Sequence, residues 1–258
     1  MYALALRVPG SLVSFGSEEI GRDIRSLLQM MINSVDDGAL SLGWFETAYE
    51  SNLNSSARWD AAHAIRNEAR HVVRARRAPG TNPQDWNLEL LEVEEIALSI
   101  ASNRGLQLSG YIHREVFVHA RTFVFALDSI EKALRVIARL PGVPSGVQNA
   151  ESLWTKAFPD LKRIRDSAHH MEDRARGRGR WEKPLDLKPI ESDFVAGGAA
   201  TVLSLGSLVD TKYMVTVDPG DLAGIEITLD TLLTAHQVVQ ATLDSFEWIG
   251  QGRWHPAI

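Results

Sequence analysis

Residues 109–142 read SGYIHREVFVHARTFVFALDSIEKALRVIARLPG. Within them Ile112, Val116, Phe123, Leu127, Ile130, Leu134 and Ile137 recur at intervals of three, four and seven, so a helix over this run carries one apolar face along its length. Ser109 begins it and Pro141-Gly142 ends it. Toward the N-terminus the same period returns. Ser17, Glu18 and Glu19 mark a helix start with acids at the positive end of the dipole, and Ile20, Ile24, Leu27, Leu28 and Met31 follow at helical spacing. Asp36-Asp37-Gly38 reads as the end of that helix, and 39–50 as a short helix with Leu40 and Trp44 facing inward. Ser55 or Ser56 caps a further helix that runs to Arg77 and stops at Pro79-Gly80. After a loop at Asn82-Pro83, another helix covers about 84–103 and is broken by Gly105.

Toward the C-terminus, Pro144 and Gly146 lie in a connection and 147–157 is helical. Pro159 suits the first turn of a helix over 160–176, closed by Gly177 and Gly179. After residue 184 the period changes. Val202, Leu203 and Leu205, then Tyr213 to Val217, then Ile225 to Ile227 are strand-like runs, separated by the turn chemistries Gly206-Ser207 and Asp218-Pro219-Gly220-Asp221. A last helix spans about 229–248, with Leu229, Leu232, Leu233, His236, Val239, Leu243 and Phe246 on its buried face and His236 satisfied within the core. Tyr2, Leu4, Leu6 and Val8 alternate as a short strand does. The expected fold is mainly α: a helical bundle over 1–183 with an N-terminal strand at 2–8, then a small antiparallel β-element and a terminal helix over 184–258, packed on the bundle as one domain.

Composition narrows the function classes. The 258 residues are 45% hydrophobic and 23% charged, as in ordinary globular proteins. There is no cysteine, which excludes disulfides, thiolate metal sites and a cysteine nucleophile, and which fits a reducing, cytoplasmic setting. No stretch approaches the roughly 20 apolar residues of a membrane span. Arg7 sits in the middle of the apolar N-terminal segment, the opposite of a signal-peptide layout. Net charge is −6, so any nucleic-acid surface must be local. Arginines do cluster, at 66–77 and at 163–180.

The second cluster contains Arg165-Asp166-Ser167-Ala168-His169-His170. Asp166 and His170, four apart, sit on one helical face, so the carboxylate can orient the imidazole and raise its basicity. Arg165 projects about 140° from His170 at 100° per residue, yet its length lets it curl toward a phosphate. These are the parts that RNA cleavage by its own 2′-OH needs: a base for the hydroxyl proton and a cation for the charge growing on phosphorus. Arg174-Ala175-Arg176-Gly177-Arg178-Gly179-Arg180-Trp181 follows directly, and alternating Arg and Gly beside a Trp can grip phosphates and stack a base.

An Arg, then Asp or Asn, then three residues and a His resembles the signature of the HEPN superfamily, through Arg165, Asp166 and His170 of this chain. The resemblance covers about 15–176 by architecture and these three residues by identity. It implies a helical-bundle, metal-independent endoribonuclease acting as a homodimer, in a toxin–antitoxin or anti-phage setting, with RNA as substrate and a protein antitoxin as partner. It also implies His170 as general base or acid, Arg165 on the phosphate and Asp166 orienting His170, with no metal and no cofactor. Arg174, Arg176, Arg178, Arg180 and Trp181 would hold the RNA.

The same pattern occurs a second time, at Arg66-Asn67-Glu68-Ala69-Arg70-His71, and which copy is functional stays open; the later one is preferred for the basic loop beside it. His63, Asn67, Arg70, Arg74 and Arg77 form a basic stripe, read as pairing with the helix that bears Glu89, Glu92 and Glu95 in preference to lining a groove. The rival reading of the whole chain is a non-catalytic helical binding module with the β-element and terminal helix as its partner or dimer surface, the Arg-Asp-His helix then being a solvated, salt-bridged face. A metal protein using His113 and His119 is disfavoured by their spacing of six. Phosphate loops, serine-hydrolase elbows, dinucleotide fingerprints and His-Glu-x-x-His are absent.

Overall fold

The computed structural model describes residues 2–53, 56–76, 86–188 and 203–256. Ser55, Arg77, Pro79-Gly80, Asn82-Pro83 and Val202, to which sequence expectations were attached, lie outside the described residues. The chain is mainly helical and divides into two compact units, one made of Met1–Phe45 with Phe117–Ile258 and the other of Glu46–Val116. No helix among the described residues is long and apolar enough to cross a membrane.

The first unit begins with β1 (Leu6–Val8) and β2 (Leu12–Val13). They pair antiparallel with two short strands from the far end of the sequence, β7 (Arg253–His255) and β6 (Trp248–Ile249). Between them runs α1, a single helix over Glu18–Leu53. Asp36-Asp37-Gly38 therefore does not end it, and the short helix expected at 39–50 is its continuation. The physical reason is tertiary. A Cβ on Gly38 would lie 2.9 Å from Leu232 Cδ1 and 3.9 Å from Ala126 Cβ, so the glycine makes room for a close crossing. Asp36 is occupied too, 2.6 Å from His255 Nε2. Ile24, Leu28, Met31, Ile32, Val35, Ala39, Leu42 and Phe45 form the buried stripe of α1, while Trp44, expected to face inward, is exposed beside the ring of His119.

Helix α4 (Ser109–Ala138) buries the expected stripe from Val116 to Ile137. It is preceded in the chain by α2 (Ser56–Arg76) and α3 (Trp86–Asn103), and followed by α5 (Ser145–Ala157), α6 (Leu161–His169) and α7 (Met171–Ala175). The expected single helix over 160–176 is thus two, broken at His170, whose φ of −109° and ψ of 46° are not helical.

The β-element is a three-stranded antiparallel sheet in the order β3 (Ser207–Val209), β4 (Lys212–Thr216), β5 (Leu222–Glu226). Its first strand begins at Ser207, where a turn was expected, because the reversal is made by Asp210-Thr211, with Asp210 at φ +51°. Asp tolerates that conformation better than most residues. Thr228 caps α8 (Leu229–Asp244), its hydroxyl accepting from the amide N–H of Thr231. The helix stops four residues short of the expected 248 because the chain turns into β6. Its side chains fasten β1: Gln240 accepts from the Arg7 N–H at 2.8 Å and donates to the Arg7 carbonyl at 3.0 Å. His236 is half-buried, with Nε2 3.1 Å from the Ala5 carbonyl.

In the second unit α2 packs on α3 through Ala69, Val73, Val93 and Ala97, with Ile65, Ile96 and Ile100 against them. Gly105, at φ +64°, closes α3 in a Schellman motif: its N–H donates to Ser102, and the Leu106 N–H donates to the Ala101 carbonyl.

The crossing at Gly38 gives a direct test. Gly38→Leu, despite its better helix propensity, should lower unfolding stability by about 1–3 kcal/mol through overpacking against Leu232, read as a reduced urea midpoint at unchanged slope.

Candidate nucleic-acid interface

Helix α6 buries Leu161, Ile164 and Ser167, spaced by three, against β4 and β5. That orientation distributes its charges. Arg163 reaches Asp160 at 2.9 Å, Asp221 at 2.8 Å and the Asp218 carbonyl at 3.2 Å, tying the helix to the β4–β5 turn. Lys188 also donates to Asp221. Lys188 first, then Arg163, hold the Asp221 carboxyl below its usual value.

Arg165 faces inward, toward α4. Its Nε lies 3.3 Å from Asp128 Oδ1, within ion-pair distance though without hydrogen-bond geometry, and its Nη2 lies 3.1 Å from Asp166. Asp128 is 4% exposed and is also held by Lys132 at 2.6 Å. The other Asp166 oxygen accepts from Arg180 at 3.1 Å. Lys132, Asp128, Arg165, Asp166 and Arg180 therefore form a ladder of alternating charge that passes through the buried Asp128 and reaches the surface at both ends. Sequence reasoning missed Asp128. Its signal was a lone acid between Leu127 and Ile130 on the apolar stripe, where burial requires a cationic partner. Beside it, burial holds the Glu131 carboxyl above its ordinary value against the pull of Arg135.

The break at His170 separates the expected catalytic pair. Asp166 is engaged by two arginines. His170, its side chain 61% exposed, has Nδ1 3.7 Å from Glu172; its backbone N–H donates to the Asp166 carbonyl at 3.2 Å, but no side-chain ion pair or hydrogen bond joins Asp166 to the imidazole among the described residues. The expectation that Asp166 orients His170 along one helical face rested on a helix that does not continue. His169 is exposed, with its ring 4.8 Å from that of Phe125. Donor atoms of His170, Glu172 and Asp173 lie within 4.8 Å of one another and could hold a cation, although Arg176 already engages Asp173 at 2.5 Å.

Arg174, expected with the RNA-holding arginines, lies buried and not on the surface. It is 4% exposed and acts as an internal strut, donating to Ser167 Oγ at 3.2 Å and to the Arg178 carbonyl at 2.6 Å. The non-helical backbone at His170 lets this side chain turn back onto α6. Beyond it, residues 177–185 form a short hairpin, closed by Gly179 N–H to the Lys183 carbonyl at 2.7 Å and Leu185 N–H to the Gly177 carbonyl at 2.9 Å. At its tip Trp181 and Glu182 both have positive φ, +58° and +56°. This is the sense of a type I′ turn, which Asn-Gly adopts readily and bulky residues do not. Trp181 is 89% exposed there. Arg176, Arg178 and Arg180 are exposed around it, with Arg178 also donating to the Glu182 carbonyl. Over 160–188 nine basic side chains face six acidic ones, a surplus of three in a chain whose net charge is −6.

The earlier motif copy lies on α2, in the second unit. Arg66 is bonded to Glu94 of α3 at 2.7 Å, and Asn67 to His63 and Arg70. The pairing expected between the basic stripe of α2 and the helix bearing Glu89, Glu92 and Glu95 is seen among the described residues as Arg66–Glu94, with Arg104–Glu68 at 2.8 Å beside it.

Two outcomes follow from this geometry. Glu182→Gly should raise stability by about 1 kcal/mol by relieving a left-handed residue, visible as a higher thermal midpoint. Asp221 has a lowered carboxyl value, so its contribution is present above the ordinary 3.8 and fades as pH falls through the folded-state value. The stability difference between wild type and Asp221→Asn should therefore be present at neutral pH and shrink on acidification below about pH 4. Set against family models, curated proteins and solved structures, the chain matches none of them.

Proposed function

We propose that this chain is a HEPN-like helical-bundle protein that binds single-stranded RNA on the 177–185 hairpin. The observation that carries the reading is Trp181, fully presented to solvent at a tip where both central residues are held in a left-handed conformation. Such strain is kept where the exposed group has work to do. A base stacks on the indole, and Arg178, Arg180 and Lys183 meet the flanking phosphates. A phosphate takes the place of Asp166 as the partner of Arg180. A homodimer and a protein antitoxin are further parts of the same proposal.

A second reading, metal-independent cleavage, is favoured by one feature: the His170 imidazole is exposed to solvent, with Glu172 3.7 Å from its Nδ1, close in sequence to the hairpin. Arg165 is already spent on Asp128 and Asp166, so binding is the stronger reading.

Binding of a labelled single-stranded RNA should weaken about 5- to 100-fold in Trp181→Ala, and the logarithm of affinity should fall with that of salt at a slope of roughly −2 for three phosphate contacts. Unchanged binding in Trp181→Ala sinks the reading. Incubation of total RNA and tRNA in EDTA separates the two readings: cyclic-phosphate ends that disappear in His170→Ala but not His71→Ala establish cleavage, and intact RNA leaves binding alone.

A further inference from the structure

The second unit holds a cavity of about 570 Å³ that the RNA reading does not use. Its walls are Ala61, Ala62 and Ile65 from α2, Ala97 and Leu98 from α3, and Leu106 from the connection, with the first turn of α4 completing them. The volume lies within the roughly 300–1,000 Å³ common for small-ligand sites. Leu98, Leu106 and Tyr111 are exposed at its edge, an apolar rim continuous with an apolar interior.

Two cations line it. Arg66 is neutralised by Glu94 at 2.7 Å, and both residues belong to the wall. Among the described residues Arg58 has no such partner: its Nη2 is buried and meets no acceptor. A buried guanidinium N–H without an acceptor is unfavourable, and a carboxylate offers the planar, two-oxygen match that satisfies it. One cation without a carboxylate partner suits a monoanion, and the long apolar wall of Ala61, Ala62, Ile65, Ala97 and Leu98 suits a chain attached to it.

We propose that this cavity binds an amphipathic carboxylate of the medium-chain fatty-acid class, with its headgroup on Arg58 and its chain along Ala62, Ile65, Ala97 and Leu98. The site is independent of the hairpin and of any RNA. Its test uses the full chain with decanoate and decanol, both below micelle-forming concentration, in titration calorimetry. Decanoate should bind saturably at one per chain and at least tenfold more tightly than decanol. Arg58→Met, which keeps the apolar stem, should bring decanoate down to the decanol level and leave decanol unchanged. Ala62→Trp should remove both, with circular dichroism showing that the helices persist. Equal affinity for the two ligands in the wild type, an unaltered decanoate affinity in Arg58→Met, or the lack of saturable binding overturns the proposal. The wild-type ratio decides the matter even if a variant fails to fold.

Discussion

The hydrogen bonds joining Leu6–Val8 to Arg253–His255, and Leu12–Val13 to Trp248–Ile249, form a small platform from which the first unit is built. α1 leaves it after β2, and α8 arrives at it before β6, so both helices are positioned by the same few backbone pairs. Side chains reinforce the junction from either side. Gln240 pairs with the backbone of Arg7 as a strand would, and Asp36 takes hold of His255. With α1 and α8 placed, Gly38 sets how closely they cross, α5 packs on α8, and α6 comes to rest on β4 and β5.

From that frame the charges of α6 have few choices. Asp128, buried in α4, would be costly without a cation, and Arg165 lies beside it. Arg165 then leaves one oxygen of Asp166 to Arg180, which draws the hairpin toward α6. Arg174 fixes the base of that hairpin from inside. The tip is therefore held by buried polar contacts at its root, and its left-handed turn can persist without favourable residues of its own. Opposed terms of about 1–3 kcal/mol, strain at the tip and polar contacts at the root, set its geometry.

Much of this was legible in the residues, and the failures share a cause. The stripe of α4 has one period and no competing signal, so its limits are nearly correct. Gly38 and Asp36 carry two meanings, since the same residues end helices and serve as close-packing and ion-pairing positions; only the approach of Leu232 and His255 tells them apart. Phe246 and Trp248 continue the apolar spacing of α8, so its end at Asp244 depends on a strand partner far away in sequence. The break at His170 has no local marker at all; it accompanies the contact of Arg174 with Ser167, which is not visible from neighbouring residues. Arg178, Arg180 and Trp181 were identified by type as surface groups, whereas the left-handed turn at Trp181-Glu182 runs against the preference of both residues. Arg58 drew no notice because one arginine on a helix is ordinary until its surroundings turn out to be apolar.

The platform also sets a timetable for synthesis. Leu6 pairs with His255, so the first strand leaves the ribosome roughly 250 residues before its partner, an interval of about 12–50 s at 5–20 residues per second. Throughout that time Leu6 and Val8, both buried in the finished protein, belong to an unpaired strand edge. Helices can form as they emerge, but the first unit closes late, and its slowest event is set by translation and not by the chemistry of collapse.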